Sequence, residues 1–163
     1  MPTTAEEHDR AVATVSHVPH LLATALAAAA ADPLAGALAA GSFRDGTRVA
    51  ATRPELIAAM CGGNAPAVGP ALDGIIAALR DARAALDAPD PIAALSPWLA
   101  PGHAQRTGWP APLAAPLDIP ARPDALLRLG RAGGWVRAVA PDRATVTVVR
   151  PAPHGPNELF DDL

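Results

Sequence analysis

The stretch His8-Asp9-Arg10-Ala11-Val12-Ala13-Thr14-Val15-Ser16-His17-Val18-Pro19-His20-Leu21-Leu22 holds three of the chain's five histidines. Its apolar positions Val12, Val15, Pro19, Leu22 and Leu26 recur at steps of three and four, the period of a helix. On that helix His17 and His20 share a face, because residues three apart are neighbours. His8 lies nine residues before His17, about two and a half turns, and so falls off that face. Pro19 is the unexpected residue. Inside a helix it removes a hydrogen bond, here the one to the Val15 carbonyl, and its ring crowds the preceding turn, at a cost of about 3 kcal/mol. A kink at Pro19 that aims polar side chains at a partner is therefore expected.

Working outward, this helix is predicted to run from about Ala5 to Ala31, with Glu6, Glu7 and Asp9 in its first turns, where negative charge suits the helix dipole. Asp32-Pro33 ends it and starts a short helix, Asp as cap and Pro at the first position, which closes near Ala40 before the breaker Gly41. Gly41 to Ala51 reads as a loop. Thr52-Arg53-Pro54-Glu55 reads as a capping box opening the next helix, which is interrupted at Gly62-Gly63. Pro66 and Pro70 predict an irregular stretch. A long amphipathic helix follows, with Leu72, Ile75, Ile76, Leu79, Ala82, Arg83 and Leu86 at helical spacing.

Nine prolines fall between Pro89 and Pro123. They predict an extended segment that wraps the helical body, with at most a short helix over Ile92 to Leu95. Pro123 to Arg131 reads as a helix closed by Gly133-Gly134. Trp135 to Ala140 and Thr145 to Val149 alternate as strands around the turn Pro141-Asp142-Arg143, and Leu117 to Ile119 offers a third strand. His154 to Leu163 reads as a disordered acidic tail. The expected fold is mainly α with a small C-terminal β-α-β-β or hairpin appendage. The expected divisions are 1–88 helical domain, 89–122 Pro-rich segment, 123–150 appendage and 151–163 tail.

Composition narrows the function. A chain of 163 residues can bury a core, but with two Phe, three Trp and no Tyr that core must be mostly Ala, Leu and Val. The thirteen basic residues are all Arg, scattered along a chain of net charge −3, which gives no clustered face for nucleic acid. The apolar run Leu21 to Ala31 is too short to span a bilayer and is mostly Ala, so a buried helix is expected and no membrane partner. There is no basic start followed by an apolar run, so no signal peptide is expected. One cysteine, Cys61, excludes an internal disulfide and fits a reducing, cytoplasmic location. Beside Gly62-Gly63 it reads as a small buried apolar residue rather than a nucleophile. A zinc site from His8, His17 and His20 is disfavoured, since His-x-x-His is the less usual helical spacing and no Cys or Glu lies at ligand distance in sequence. No G-x-G-x-x-G follows a strand.

Three motifs in order, His8-Asp9-Arg10, Ser16-His17-Val18-Pro19-His20-Leu21-Leu22 and Gly41-Ser42-Phe43-Arg44-Asp45-Gly46-Thr47-Arg48, resemble the C-terminal helical (dimerisation) domain of the prephenate dehydrogenase family. The resemblance covers residues 5–88. It implies NAD- or NADP-dependent oxidative decarboxylation of prephenate to 4-hydroxyphenylpyruvate, on the way to tyrosine. It further implies a homodimer formed through these helices. In the family the cofactor site and the hydride-facilitating histidine lie in an N-terminal Rossmann domain. The chain starts where the second domain would, so it is expected to hold half an active site, to carry no catalytic residue of its own and to be inactive alone.

The resemblance also implies roles for single residues. Arg48, closing its motif, would pair with a carboxylate of prephenate, for which a guanidinium offers two parallel charge-assisted bonds. The competing role for Arg48 is a surface ion pair with Asp45. His17 and His20 would line the cleft near substrate or the inhibitor tyrosine, where histidine can donate to carboxylate or hydroxyl; otherwise they brace the kink. Ser16 would bond back to a freed carbonyl or contact ligand. Asp45 would orient Arg48 or hold the loop as a turn residue. Gly41 would permit backbone geometry closed to other residues, Arg44 would be solvated, and Gly46 replaces a bulky family residue. Where the family shows a Trp and an acidic residue in the next helix, this chain has Leu56-Ile57-Ala58-Ala59. The competing function is a non-catalytic dimeric module that senses tyrosine, or a structural remnant.

Overall fold

The computed structural model describes residues 1–152, in two compact units: Glu6–Pro89, and Met1–Ala5 together with Asp90 onward. The tail expected from His154 lies outside the described residues. The fold is mainly helical with one small antiparallel sheet.

In the first unit the leading helix is divided, but not at Pro19. Helix α1 (Ala5–Val12) passes into a π turn over Ala13–His17, then into α2 (Val18–Ala29). The Val18 amide donates to the carbonyl of Ala13, five residues back. The wider turn holds an extra residue and brings Pro19 to the start of α2, where its fixed φ suits a new helix and its missing N–H costs little. The irregularity therefore precedes the proline. By length and composition alone Ala5–Ala29 is apolar enough to cross a membrane, more than the shorter window of the sequence suggested. Within this unit its Ala13 and Val18 form the core with Val68, bordered by Leu21, Leu22, Leu72 and Ile75. The buried helix expected over Leu21 to Ala31 is not found: only Ala23 is buried there and Leu26 is 49% exposed. The core is thin because its members are small.

Helix α3 (Pro33–Leu38) is capped as expected, the Ala35 amide donating to Asp32 Oδ2 at 2.9 Å. The expected loop after it is helical instead. Gly41 opens helix α4 (Gly41–Thr47), which continues as a 3₁₀ turn over Arg48–Ala51. Gly-Ser-Phe-Arg-Asp-Gly-Thr is a poor helix sequence, so packing decides: α4 and the 3₁₀ turn lie against α2, and Phe43 and Thr47 are half-buried. The capping box is also corrected. Helix α5 (Pro54–Gly63) has Arg53 as its cap residue and no side-chain cap bond. A residue before proline is driven to extended geometry, so Arg53 (φ −54°, ψ 129°) cannot be a first helical residue and Thr52 cannot be the cap. Helix α6 (Ala65–Leu86) begins at once, with Pro66 in its first turn and Pro70 inside it, rather than after an irregular stretch.

The second unit corrects the Pro-rich segment: helix α7 (Pro91–Thr107) contains Pro97 and Pro101. Asp90 Oδ1 caps it by accepting from the Ala93 amide. The carbonyls these prolines deprive belong to Ala93 and Pro97, which are exposed, so water can satisfy them. Strand β1 (Leu117–Pro120), helix α8 (Pro123–Arg131), β2 (Trp135–Val139) and β3 (Thr145–Val149) make the expected β-α-β-β appendage. The order is β1-β3-β2, antiparallel throughout, with a register shift between Val136 and Ala138. Alternation on β3 sends Val146 and Val148 to a core with Ile119, Ala125 and Leu129. Gly133 (φ 74°) ends α8: its amide donates to the Gly130 carbonyl and that of Gly134 to Leu129, a Schellman closure. Gly134 has no alternative, since a Cβ there would lie 2.4 Å from Leu129 Cδ1 and 2.9 Å from the Val149 carbonyl oxygen.

Candidate functional site

Three segments of the first unit meet around the two histidines. His17 is the last residue of the π turn and His20 lies in the first turn of α2. His20 Nδ1 lies 3.1 Å from the Val49 carbonyl oxygen, which ties the 3₁₀ turn to α2. His17 Nδ1 lies 3.3 Å from Asn64 Nδ2, at the end of α5. The same Asn64 nitrogen donates to the Asp9 carbonyl at 2.8 Å, and Cys61 Sγ lies 3.9 Å from the His17 carbonyl oxygen. Both imidazoles are half-buried, and neither Nε2 has a partner among the described residues. The two rings are held from different sides, His17 by α5 and His20 by the 3₁₀ turn.

Arg48 is the first residue of that 3₁₀ turn and directly precedes Val49. It is exposed and makes no ion pair or side-chain hydrogen bond among the described residues. The expected rival role, pairing with Asp45, is not what the structure holds: Asp45 faces Arg44 at 3.7 Å, with both side chains largely exposed. Ser16 is half-buried and makes no bond back to a carbonyl among the described residues. Gly41 does not need to be glycine; its φ is not positive and an added Cβ would meet nothing within 4 Å. At Gly46 a Cβ would touch Leu26 Cδ2 at 3.6 Å, an ordinary contact, so α2 and α4 are close there without strain. His8 Nδ1 lies 3.0 Å from Asp9 Oδ1 on the exposed side and does not join the other two histidines. Among the described residues no three His, Cys, Asp or Glu side chains are grouped to hold a metal.

Asn64 and the Val49 carbonyl are the two partners that sequence reasoning missed. An asparagine after Gly-Gly reads as a helix C-cap, and Asn64 does close α5. Only the fold shows that its amide reaches back over fifty residues. A backbone carbonyl leaves no mark in a sequence at all.

The sequence and fold have counterparts. A family profile described as "Prephenate dehydrogenase, dimerization domain" matches residues 4–95. The cyclohexadienyl dehydrogenase of Zymomonas mobilis is 41% identical over 93 residues, 53% of this chain and 31% of that protein. Among solved structures, a protein assigned as a prephenate dehydrogenase from Corynebacterium glutamicum superposes with a TM-score of 0.59 at 39% identity, covering 64% of this chain and 35% of the other. The arogenate dehydrogenase of Synechocystis gives a TM-score of 0.53 at 30% identity, over 64% of this chain and 38% of that one. The chain thus spans about a third of the length of the relatives it matches.

Proposed function

The chain belongs to the prephenate dehydrogenase family through its dimerization domain, and from that premise we propose that it supplies the substrate-facing half of a cytoplasmic dehydrogenase of tyrosine biosynthesis. The reaction is the NAD(P)-dependent oxidative decarboxylation of prephenate, or of its close relative arogenate. NAD or NADP is bound by a nucleotide-binding domain of Rossmann type, and the hydride is transferred there. This chain binds and orients the acid.

The observation that carries the reading is Arg48, without an ion pair or side-chain hydrogen bond among the described residues, one residue before the Val49 carbonyl bonded to His20. That carbonyl holds a half-buried imidazole. An acid seated there gains a forked, charge-assisted contact from Arg48 and a hydrogen bond from the His17 ring, while the His20 ring can accept one from a donor group of the same ligand. Ser16, half-buried and without a side-chain hydrogen bond among the described residues, is available to the same ligand. Asp45 lies on the Arg44 side and contributes little, and Gly41 acts only as backbone.

The test is reconstitution. Purified chain, mixed with prephenate and NAD or NADP, is expected to give no nicotinamide reduction. Addition of the nucleotide-binding domain of the Corynebacterium relative is expected to restore it. Turnover by the chain alone overturns the division of labour, and no turnover in the mixture, with both parts folded and associated, overturns the assigned activity.

A further inference from the structure

We propose that Asn64 is a positioning residue that fixes His17 in one tautomer, opposite to that of His20. The argument starts from what each partner can do. The Asp9 carbonyl can only accept, so the Asn64 atom 2.8 Å from it must be the amide nitrogen. That orients the whole side chain, and the second amide hydrogen is directed to His17 Nδ1 at 3.3 Å. A nitrogen that accepts carries no proton. Neutral His17 is therefore protonated on Nε2.

His20 is held the other way. Its Nδ1 lies 3.1 Å from the Val49 carbonyl, which again can only accept, so Nδ1 carries the proton and neutral His20 has a bare Nε2. Two imidazoles three residues apart thus present unlike atoms: an N–H from His17 and a lone pair from His20. Neither Nε2 is used within the described residues. One donor and one acceptor, on the two rings, suit a carboxylic acid that also bears a hydroxyl or an ammonium group. A simple dicarboxylate, which only accepts, would use His17 and leave His20 unmatched. This inference deepens the functional reading above and rests on it for the ligand, although the tautomers themselves do not.

The experiment is nitrogen-15 NMR of the histidine rings in the full chain, recorded in the neutral form without ligand. The expected result is Nε2–H for His17 and Nδ1–H for His20. In Asn64→Asp the side chain accepts only, so His17 is expected to move its proton to Nδ1 while His20 keeps its own. In Asn64→Ala, His17 is expected to lose its preference. A loss of packing alone would not invert one ring and spare the other. Wild-type His17 found as Nδ1–H overturns the proposal, as does a folded Asn64→Asp protein with His17 unchanged. If Asn64→Asp does not fold, the wild-type spectrum decides. Because no ligand enters this readout, its result is separable from failure of the functional assignment, which the reconstitution assay reports.

Discussion

Arg44 and Arg48 lie one helical turn apart, yet only Arg44 has an acidic neighbour within 4 Å among the described residues, Asp45 at 3.7 Å. The proposed role of Arg48 depends on that difference. A hydrogen bond to a charged group is worth about 1.5–3 kcal/mol, and about 1.4 kcal/mol is a factor of ten. Arg48→Ala is therefore expected to weaken substrate affinity by about ten- to a hundredfold in the reconstituted enzyme. Arg44→Ala should change it little, and titration calorimetry on both variants gives the comparison. A larger loss for Arg44→Ala would show the wrong arginine had been chosen. At this scale the sequence was informative where side chains carry their own chemistry: His17 and His20 stand out by type and spacing, and Arg48 by the family resemblance of its motif. It was uninformative where a role depends on reach. Asn64 looks like a helix stop until the fold brings Asp9 and His17 to it.

Among the elements, the strands and the helix of the appendage were legible because β3 alternates and α8 begins with Pro and ends before Gly-Gly. The misreadings share a cause. Pro33, Pro54 and Pro123 were read as helix starts, but Pro19, Pro66 and the run from Pro89 were read as kinks, irregular chain or extended chain. Pro19, Pro66 and Pro91 instead stand in the first two positions of α2, α6 and α7. Loop-like residues were read as loop, whereas burial of Phe43 and Thr47 against α2 makes α4 a helix. Helix α8 offers a test of its own. The hydrogen bond from Arg122 to Asp124, with the charges of Arg122 and Arg128 adding, holds that carboxyl below the ordinary aspartate range. A folded value below the unfolded one means the stabilisation is present above the unfolded value and is lost as pH falls through the folded one. Asp124→Asn is therefore expected to lower the urea midpoint slightly at neutral pH, with the gap to wild type closing in acid. A gap that persists in strong acid would assign the effect to capping or packing instead. The effect is small because the group is exposed and screened.

For the whole molecule, the family match identifies a dimerization domain, and the exposed apolar residues of α6 agree with one. Leu79 and Leu86 are each about half exposed on the half of the helix beyond its contact with the core. Apolar surface is worth about 25 cal/mol per Å² when buried, and a core of Ala and Val leaves much of that gain to a partner. The chain is expected to be a dimer by light scattering at micromolar concentration. Leu79→Glu combined with Leu86→Glu should shift it to monomer while the helical circular dichroism persists; a dimer unaffected by both would place the interface elsewhere. The prolines at the helix starts have a further consequence. Each restricts the disordered chain as much as it shapes the folded one, so part of this protein's stability arises from states it never occupies when native. Replacing Pro33, Pro54 or Pro123 with alanine removes almost no contact, yet each change should lower stability by about 0.4–1 kcal/mol by giving the unfolded ensemble more freedom. A protein with few large side chains to bury can thus be held together partly by the poverty of its alternatives.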